Sequence, residues 1–370
     1  MRTLTQYWEP YLRSTEFWEK IILGIFVLSI FINVPIYANE TYAYMLGEKK
    51  DFLIMFLWLS DLTLLLVLGF SLWHQNTETK KTEPTTKWLL WMLPALAGLQ
   101  VITTVGNWNN ILLPPICIYY LLLLYKGFVL HGTGVLRKHS LRKIVENSFI
   151  VAATAEALLA IYQFSQQHSL GMKYLGETIL GPSMVGIAKI EAETILFMRA
   201  YGTLPHPNVL GAMLAIAILI LINRLVPHAT NVARPKQAVG LLQVGLILIA
   251  LILTFSRAAW VSLALGAVYY LYTHLKVYVA YKKEVFLIFA YLSIAGAVSL
   301  IILNPLVQPR TNVLDKAYSE RSSYNRVGID YVGSFPLTGT GPGQSLLHMK
   351  HSLGTNAQPW EVQPIHNYYL

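Results

Sequence analysis

The chain has 370 residues, of which 55% are apolar and only 13% are charged. Its net charge of +9 does not indicate a nucleic-acid partner, because the Lys and Arg residues are dispersed among loops and form no basic stripe. The apolar residues lie in long uninterrupted stretches, as they do in proteins that cross a bilayer several times. We therefore predict an all-α polytopic membrane protein in contact with the lipid bilayer.

Apolar segments of spanning length recur along the chain. A helix needs about 20 apolar residues to cross, because each residue rises about 1.5 Å through a hydrocarbon core of about 30 Å. Nine segments approach this length, approximately at residues 21–38, 52–73, 88–104, 110–130, 148–166, 208–226, 238–255, 258–275 and 285–303. The first follows a 20-residue arm that contains Glu9, Glu16 and Glu19, and no convincing cleavage site follows it, so we predict a retained helix and not a signal peptide.

The basic residues of the loops predict the orientation. The expected inner loops are rich in Lys and Arg, whereas the short outer loops hold only Lys49, Lys50 and Arg257. By the positive-inside rule the N-terminus of this multi-pass protein is cytoplasmic. Cys117 is the only cysteine, so no internal disulfide forms.

Two long loops are expected on the outer face, at residues 167–207 and 304–365. Loops of this length are usually functional. The predicted organisation is a transmembrane bundle at 1–303, an extracytoplasmic cap at 304–365, and the start of a truncated tenth helix at 366–370. Within the cap, residues 314–332 have the pattern of an amphipathic helix that precedes a Gly- and Pro-rich turn.

Arg199 lies seven residues before His206-Pro207-Asn208. Pro207 suits the first position of the sixth helix, where its missing N–H has no intrahelical partner in any case. The exposed amides and positive dipole end of that helix start would attract an anion, and Arg199 would add a bidentate clamp for phosphate. The alternative is that Arg199 anchors a loop end to lipid headgroups.

Arg257 and His366 are also expected at the outer surface. Arg257 sits in a tight hairpin between two apolar spans, where an Arg is a functional candidate by default. Ser256 is expected to cap the eighth helix. His366 lies at the entrance of the incomplete tenth helix, where it is either a general base or a structural residue. His206 competes with it for the role of base.

Two interpretations are open for the remaining charged candidates. Arg321 and Arg326 are five residues apart, so one reaches the site while the other packs locally or stays solvated. Asp61 and Glu156 lie inside predicted spans, where acids mark proton pathways or form polar contacts, for example with Lys126 or neutral amides. The first interpretation would make the chain a polysaccharide or lipid-carrier transporter.

Together, the ordered motifs resemble the O-antigen ligase and O-antigen polymerase superfamily over residues 190–370. They are Arg199-x6-His206-Pro207-Asn208, Thr254-x-Ser256-Arg257, Arg321, Pro336-Leu337-x-Gly339-x-Gly341-x-Gly343 and His366-Asn367. The resemblance implies a membrane glycosyltransferase of the GT-C type with a large outer loop. It also implies a bacterial-type cytoplasmic (inner) membrane, with the active site on its outer face. Such enzymes move a glycan from undecaprenyl diphosphate to an acceptor hydroxyl on a lipid, a glycan or a protein.

The resemblance also implies roles for individual residues. Arg199 and Arg257 correspond to the family's essential arginines, and His366 to its proposed catalytic base. The implied reaction inverts the anomeric carbon and uses no metal or other cofactor. The outer-face residues show no metal-ligand spacing. A noncatalytic membrane scaffold is a further alternative.

Overall fold

A computed structural model describes part of the chain. The described residues are 15–39, 44–45, 48–49, 55–74, 139–184, 187–192, 195–225, 234–273 and 316–334, with isolated positions between 286 and 301 and at 349 and 352. Most of them are helical. The chain divides into two units, one of Leu23–Val34 and Lys138–Asn312, the other of Met1–Ile22, Pro35–Arg137 and Val313–Leu370.

The described elements are seven α-helices and three antiparallel strand pairs. In chain order they are α1 (Thr15–Ile30), β1 (Pro35–Asn39), β2 (Tyr44–Met45), β3 (Glu48–Lys49), β4 (Met55–Trp58), α2 (Leu59–His74), α3 (His139–Gln166), β5 (Lys189–Ala192), β6 (Ile195–Met198), α4 (Pro207–Leu225), α5 (Arg234–Leu253), α6 (Arg257–Thr273) and α7 (Lys316–Ser334). The strand pairs are β1 with β4, β2 with β3, and β5 with β6.

Within the described part of the chain, two helices are long and apolar enough to cross a bilayer. They are Leu141–Gln166 in α3 and Pro207–Leu225 in α4, and they confirm helices at the fifth and sixth predicted spans. The apolar part of α5, Gln237–Leu253, is shorter. The 19 residues of α4 extend about 28 Å, close to the thickness of the hydrocarbon core.

The first two predicted spans are partly wrong. α1 ends at Ile30, and residues 35–38 of the span predicted at 21–38 belong to β1. Pro35 prevents the helix from running through the rest of the span, because proline disfavours helical backbone in the residue before it and cannot continue a helix itself. β1 pairs with β4, which occupies the start of the span predicted at 52–73.

Helix α2 begins at Leu59 because a capping interaction stops the strand. Asp61 is the third residue of α2, and its Oδ2 accepts the Trp58 N–H at 3.0 Å. This is half of a capping box, in which an acid of the first turn satisfies an amide that has no helical partner.

The other predicted elements have mixed outcomes. The spans predicted at 88–104 and 110–130 lie outside the described residues. Of the span predicted at 285–303, only scattered positions between 286 and 301 are described, and these are helical. α7 confirms the helix predicted at 314–332 to within two residues at each end.

Helices α3 to α6 pack around a shared apolar core. α3 contacts α4 and α5, and α4 contacts α5 and α6. Ala153, Ala157 and Ala160 are fully buried on one face of α3, because small residues let neighbouring helices approach closely. At the far end of the α3–α4 contact, the Arg224 guanidinium donates to the Glu146 carboxylate at 2.9 Å. α3 and α4 therefore run in opposite directions.

Candidate functional site

Arg199 is buried at the point where three elements meet. It follows β6, and only 4% of its surface is exposed. Its Nε donates to the carbonyl oxygen of Thr254 at 2.6 Å, just beyond the end of α5. One of its terminal nitrogens donates to Oδ1 of Asn208 at 2.7 Å, in the first turn of α4. A cation beside the last carbonyls of a helix is favourable, so Arg199 stabilises the end of α5.

The start of α4 has the form that its sequence predicts. Pro207 is the first helical residue, and the His206 carbonyl accepts the N–H groups of Val209 and Leu210. The Asn208 N–H donates to Nδ1 of His206 at 3.1 Å. A neutral imidazole that accepts through Nδ1 carries its proton on Nε2. This arrangement favours a capping and hydrogen-bond-donor role for His206 over the role of a general base.

Arg257 lies at the corner between α5 and α6. Phe255 turns the chain in the left-handed region, with φ of 48°, and its side chain is buried against Phe164. Ser256 occupies the cap position expected from the sequence, because its carbonyl accepts the Trp260 N–H. Thr254, Phe255 and Ser256 are buried, whereas Arg257 is exposed.

Two helix starts meet at this corner. A Cβ atom added to Gly211, in the second turn of α4, would lie 3.1 Å from Cβ of Ser256 and 3.0 Å from Cβ of Ala259. The first turns of α4 and α6 are therefore neighbours, and each carries about half a positive charge. Arg257, as the first residue of α6, adds a full positive charge at the same place. The first turns of α4 and α6, together with Arg257, form a cationic corner that is suited to bind an anion.

Tyr201 connects this corner to the β5–β6 hairpin. Its hydroxyl oxygen accepts the Ala188 N–H at 2.7 Å, and its ring packs edge-on against His206, with 6.2 Å between ring centres. Burial raises the pKa of the Tyr201 phenol above its ordinary value. The side chain is therefore neutral at physiological pH and acts as a structural support.

Sequence analysis missed two glutamines that hold the backbone on either side of Arg199. The Gly202 N–H donates to Oε1 of Gln163 at 2.8 Å, and Nε2 of Gln163 donates to the Gly202 carbonyl at 2.9 Å. The Met198 N–H donates to Oε1 of Gln167 at 2.7 Å, and Nε2 of Gln167 lies 3.4 Å from the Met198 carbonyl.

The available signal was the spacing of polar residues in an apolar helix. Glu156, Gln163 and Gln167 are separated by seven and four residues, a spacing that puts them on one helical face. All three accept backbone N–H groups from the segment 198–203. Polar residues on one face of an apolar helix indicate that this face meets polar groups. Here those groups are the backbone of a non-helical segment.

Both buried acids have backbone partners. Glu156 accepts the Thr203 N–H at 2.8 Å and contacts the Thr203 hydroxyl at 2.6 Å. Asp61 accepts the Trp58 N–H, as described above. These neutral partners agree with the structural interpretation of the two acids, whereas Lys126 lies outside the described residues. A transporter that couples ions through Asp61 and Glu156 therefore has less support.

The predicted site residues fall into three groups. Arg199, His206, Asn208 and Arg257 lie around the α4 and α6 helix starts. Arg321 and Arg326 are on α7, in the other unit, and the Arg326 side chain is exposed. His366 lies outside the described residues, so its role as a base remains a prediction.

The fold and this corner define a mainly helical protein with candidate membrane spans and a cationic site. Residues 242–370 match the family model described as O-antigen ligase. This match supports membership of the O-antigen ligase and polymerase superfamily, which is a family of membrane proteins. The matched region contains Arg257, Arg321, Arg326 and His366, whereas Arg199 precedes it. No curated protein and no solved structure matches the chain.

Proposed function

We propose that this chain is an inverting, metal-independent membrane glycosyltransferase. It moves a glycan from an undecaprenyl diphosphate carrier to an acceptor hydroxyl on the outer face of the cytoplasmic membrane. The observation that carries the proposal is the exposed Arg257 at the start of α6, inside the region that matches the O-antigen ligase family. The starts of α4 and α6 and the Arg257 guanidinium lie at the same place, where their positive charge would attract an anionic ligand.

The chemistry requires stabilisation of a leaving diphosphate. The acceptor oxygen forms a bond to the anomeric carbon while the bond from that carbon to the diphosphate oxygen breaks. The electron pair of the broken bond stays on the diphosphate, where Arg257 and the amides of two helix starts oppose the growing negative charge. Attack from the opposite face inverts the anomeric configuration.

Each further candidate has a proposed role. His366 takes the proton of the acceptor hydroxyl as general base. Arg199 holds Asn208 and adds positive charge behind the helix starts. Arg321 and Arg326 bind the donor's diphosphate or glycan. A guanidinium suits these positions because it stays charged when it is desolvated.

Transfer by the purified protein in detergent tests this proposal, with a polyprenyl diphosphate-linked oligosaccharide as donor. Arg257→Ala should lower the transfer rate by about 10² to 10³, the usual effect of removing one group that stabilises transition-state charge. Arg257→Lys should retain part of the rate because it keeps the charge but not the planar fork.

Lys173→Ala is the matched control, since Lys173 is an exposed cation in the outer loop that follows α3. Its rate should equal that of the wild type. Equal effects of Arg257→Ala and Lys173→Ala would contradict a specific role for Arg257. Ion-dependent movement of the donor without a new glycosidic bond would support a transporter instead.

His366→Ala tests the proposed base separately. The variant should still bind the lipid-linked donor, because the cationic corner is intact, while its transfer rate falls by about 10² to 10⁴. Donor binding and transfer should be measured on the same preparation. Transfer at the wild-type rate would exclude His366 as the base.

A further inference from the structure

We propose that Gln163 and Gln167 are positioning residues that determine where the Arg199 guanidinium lies in the site. The inference rests on the proposed function, because it takes Arg199 as part of the site that receives the diphosphate. Neither glutamine needs to touch substrate. Each acts through the backbone of Met198–Gly202, the segment that carries Arg199.

This segment has little structure of its own. After β6 ends at Met198, residues 199–201 form no helix or strand. Its position therefore depends on individual hydrogen bonds. Arg199 and Ala200 donate backbone N–H groups to the carbonyls of Ala188 and Leu253, at 3.2 and 3.1 Å. The two glutamines bind the ends of the segment, so Arg199 lies between two fixed points.

Gln163 is shaped for this contact. It is fully buried, and its amide is planar, with an acceptor and a donor that match the Gly202 N–H and carbonyl. Its Nε2 also donates to Oε1 of Glu177 at 2.7 Å. Glu177 in turn accepts the N–H groups of Leu170 and Met172, so the amide of Gln163 is itself held in place.

Gln167 gives the stronger indication of a positioning role, because its backbone is strained. It is the first residue after α3 and has φ of 57°, a conformation that glycine or asparagine normally provides at a helix end. Strain of this kind persists where the surroundings compensate for it, and it often marks functional positions. The Gln167 side chain donates to the Phe164 carbonyl at 2.6 Å and accepts the Met198 N–H. A glycine would relieve the strain but would lose both contacts.

The position of the guanidinium is sensitive to the backbone. Its hydrogen bonds to Thr254 and Asn208 are 2.6 and 2.7 Å long. A backbone shift of about 1 Å would lengthen such bonds beyond the usual range. Misplacement by that distance can lower an enzyme's rate about a hundredfold.

Gln167→Gly separates positioning from stability. The variant should unfold near the wild-type temperature, because relief of the left-handed strain offsets the loss of two side-chain hydrogen bonds. Its kcat for glycan transfer should nevertheless fall by about 10- to 100-fold. Gln167→Glu keeps an acceptor for the Met198 N–H and should retain more activity than Gln167→Gly. Gln166→Ala, a change at the exposed neighbouring residue, should have the wild-type kcat.

A second variant and a double-mutant cycle test the coupling to Arg199. Gln163→Met keeps the side-chain volume but removes the amide, and it lowers both stability and kcat if it folds. In an Arg199→Ala background, Gln167→Gly should cause no further loss of rate, because the guanidinium that Gln167 positions is already absent. Independent, multiplying losses would overturn the proposal.

Amide hydrogen exchange makes the inference testable without activity. In Gln167→Gly, the amides of Met198–Gly202 should exchange at least about tenfold faster, while those of α3 and α4 keep their protection. Unchanged protection of this segment would overturn the positioning role, whatever the transfer assay shows. If exchange is faster in Gln167→Gly but the wild-type protein transfers no glycan, the positioning role is supported and the proposed function is refuted.

Discussion

At the residue scale, Gly202 shows how tightly the segment that carries Arg199 is packed. Its φ is 65°, a left-handed conformation that a residue with a Cβ atom adopts only at a cost in free energy. A Cβ atom added there would lie 2.0 Å from Oε2 of Glu156. The carboxylate could make room only by giving up its hydrogen bond with the Thr203 N–H, so both backbone conformation and space favour glycine here.

Gly202→Ala should lower the free energy of unfolding by more than about 2 kcal/mol, since the clash adds to the left-handed strain. Gly171→Ala is the matched control. Gly171 has φ of 87°, but nothing lies within 4 Å of an added Cβ atom, so only the conformational cost of about 1 kcal/mol applies. Thermal unfolding in detergent compares the two. Equal midpoints would contradict the packing described for Gly202.

Asn208 allows stability and activity to be moved in opposite directions. Asn208→Asp keeps the acceptor for Arg199 and puts a negative charge in the first turn of α4, which should stabilise the fold by about 0.3 to 1 kcal/mol. The same charge should repel a diphosphate and lower the transfer rate at least about tenfold. Asn208→Ala provides the uncharged comparison. A stable Asn208→Asp variant with full activity would argue against an anion at this helix start.

At the element scale, the close contact of α4 with α6 brings the two helix starts together. Gly211 lies against Ser256 and Ala259, so the helices meet where one of them has no side chain. Larger residues would separate the helix starts and weaken their combined positive potential. The contact therefore links packing within the bundle to the geometry of the site.

Gly211→Leu should lower stability by about 1 to 3 kcal/mol through overpacking, and it should also reduce donor binding. Gly69→Leu is the control, because nothing lies within 4 Å of an added Cβ atom at this position of α2. Unfolding midpoints and donor affinity should be measured for both variants. Wild-type values for Gly211→Leu would show that the crossing tolerates a large side chain.

Local sequence rules account for some elements and fail for others. Pro207 and the apolar run after it determine α4 within one residue of its predicted start. The strand at Pro35–Asn39 was missed because a hydropathy count cannot distinguish an apolar helix from an apolar strand. Pro35 and the pairing with the strand Met55–Trp58 favour the strand.

At the scale of the whole molecule, the prediction that remains to be tested is the orientation in the membrane. Single cysteines can be introduced into a Cys117→Ser background, and their labelling shows which end of α3 faces outward. Lys143 and Tyr174 are exposed near opposite ends of this helix. A cysteine at Tyr174 should react with a membrane-impermeant thiol reagent in intact cells, and a cysteine at Lys143 only after permeabilisation. The reverse pattern would put the cationic corner on the cytoplasmic side.

The sequence by itself determined the helical class, the family resemblance and the starts of α4 and α6, because these depend on local composition, proline and apolar periodicity. Only the tertiary structure decided that Arg199 is buried against Thr254 and Asn208 while Arg257 is exposed. It also revealed the glutamine pairs on either side of Arg199. Such contacts join residues up to 55 positions apart, and no local pattern encodes which distant backbone group a polar side chain will bind.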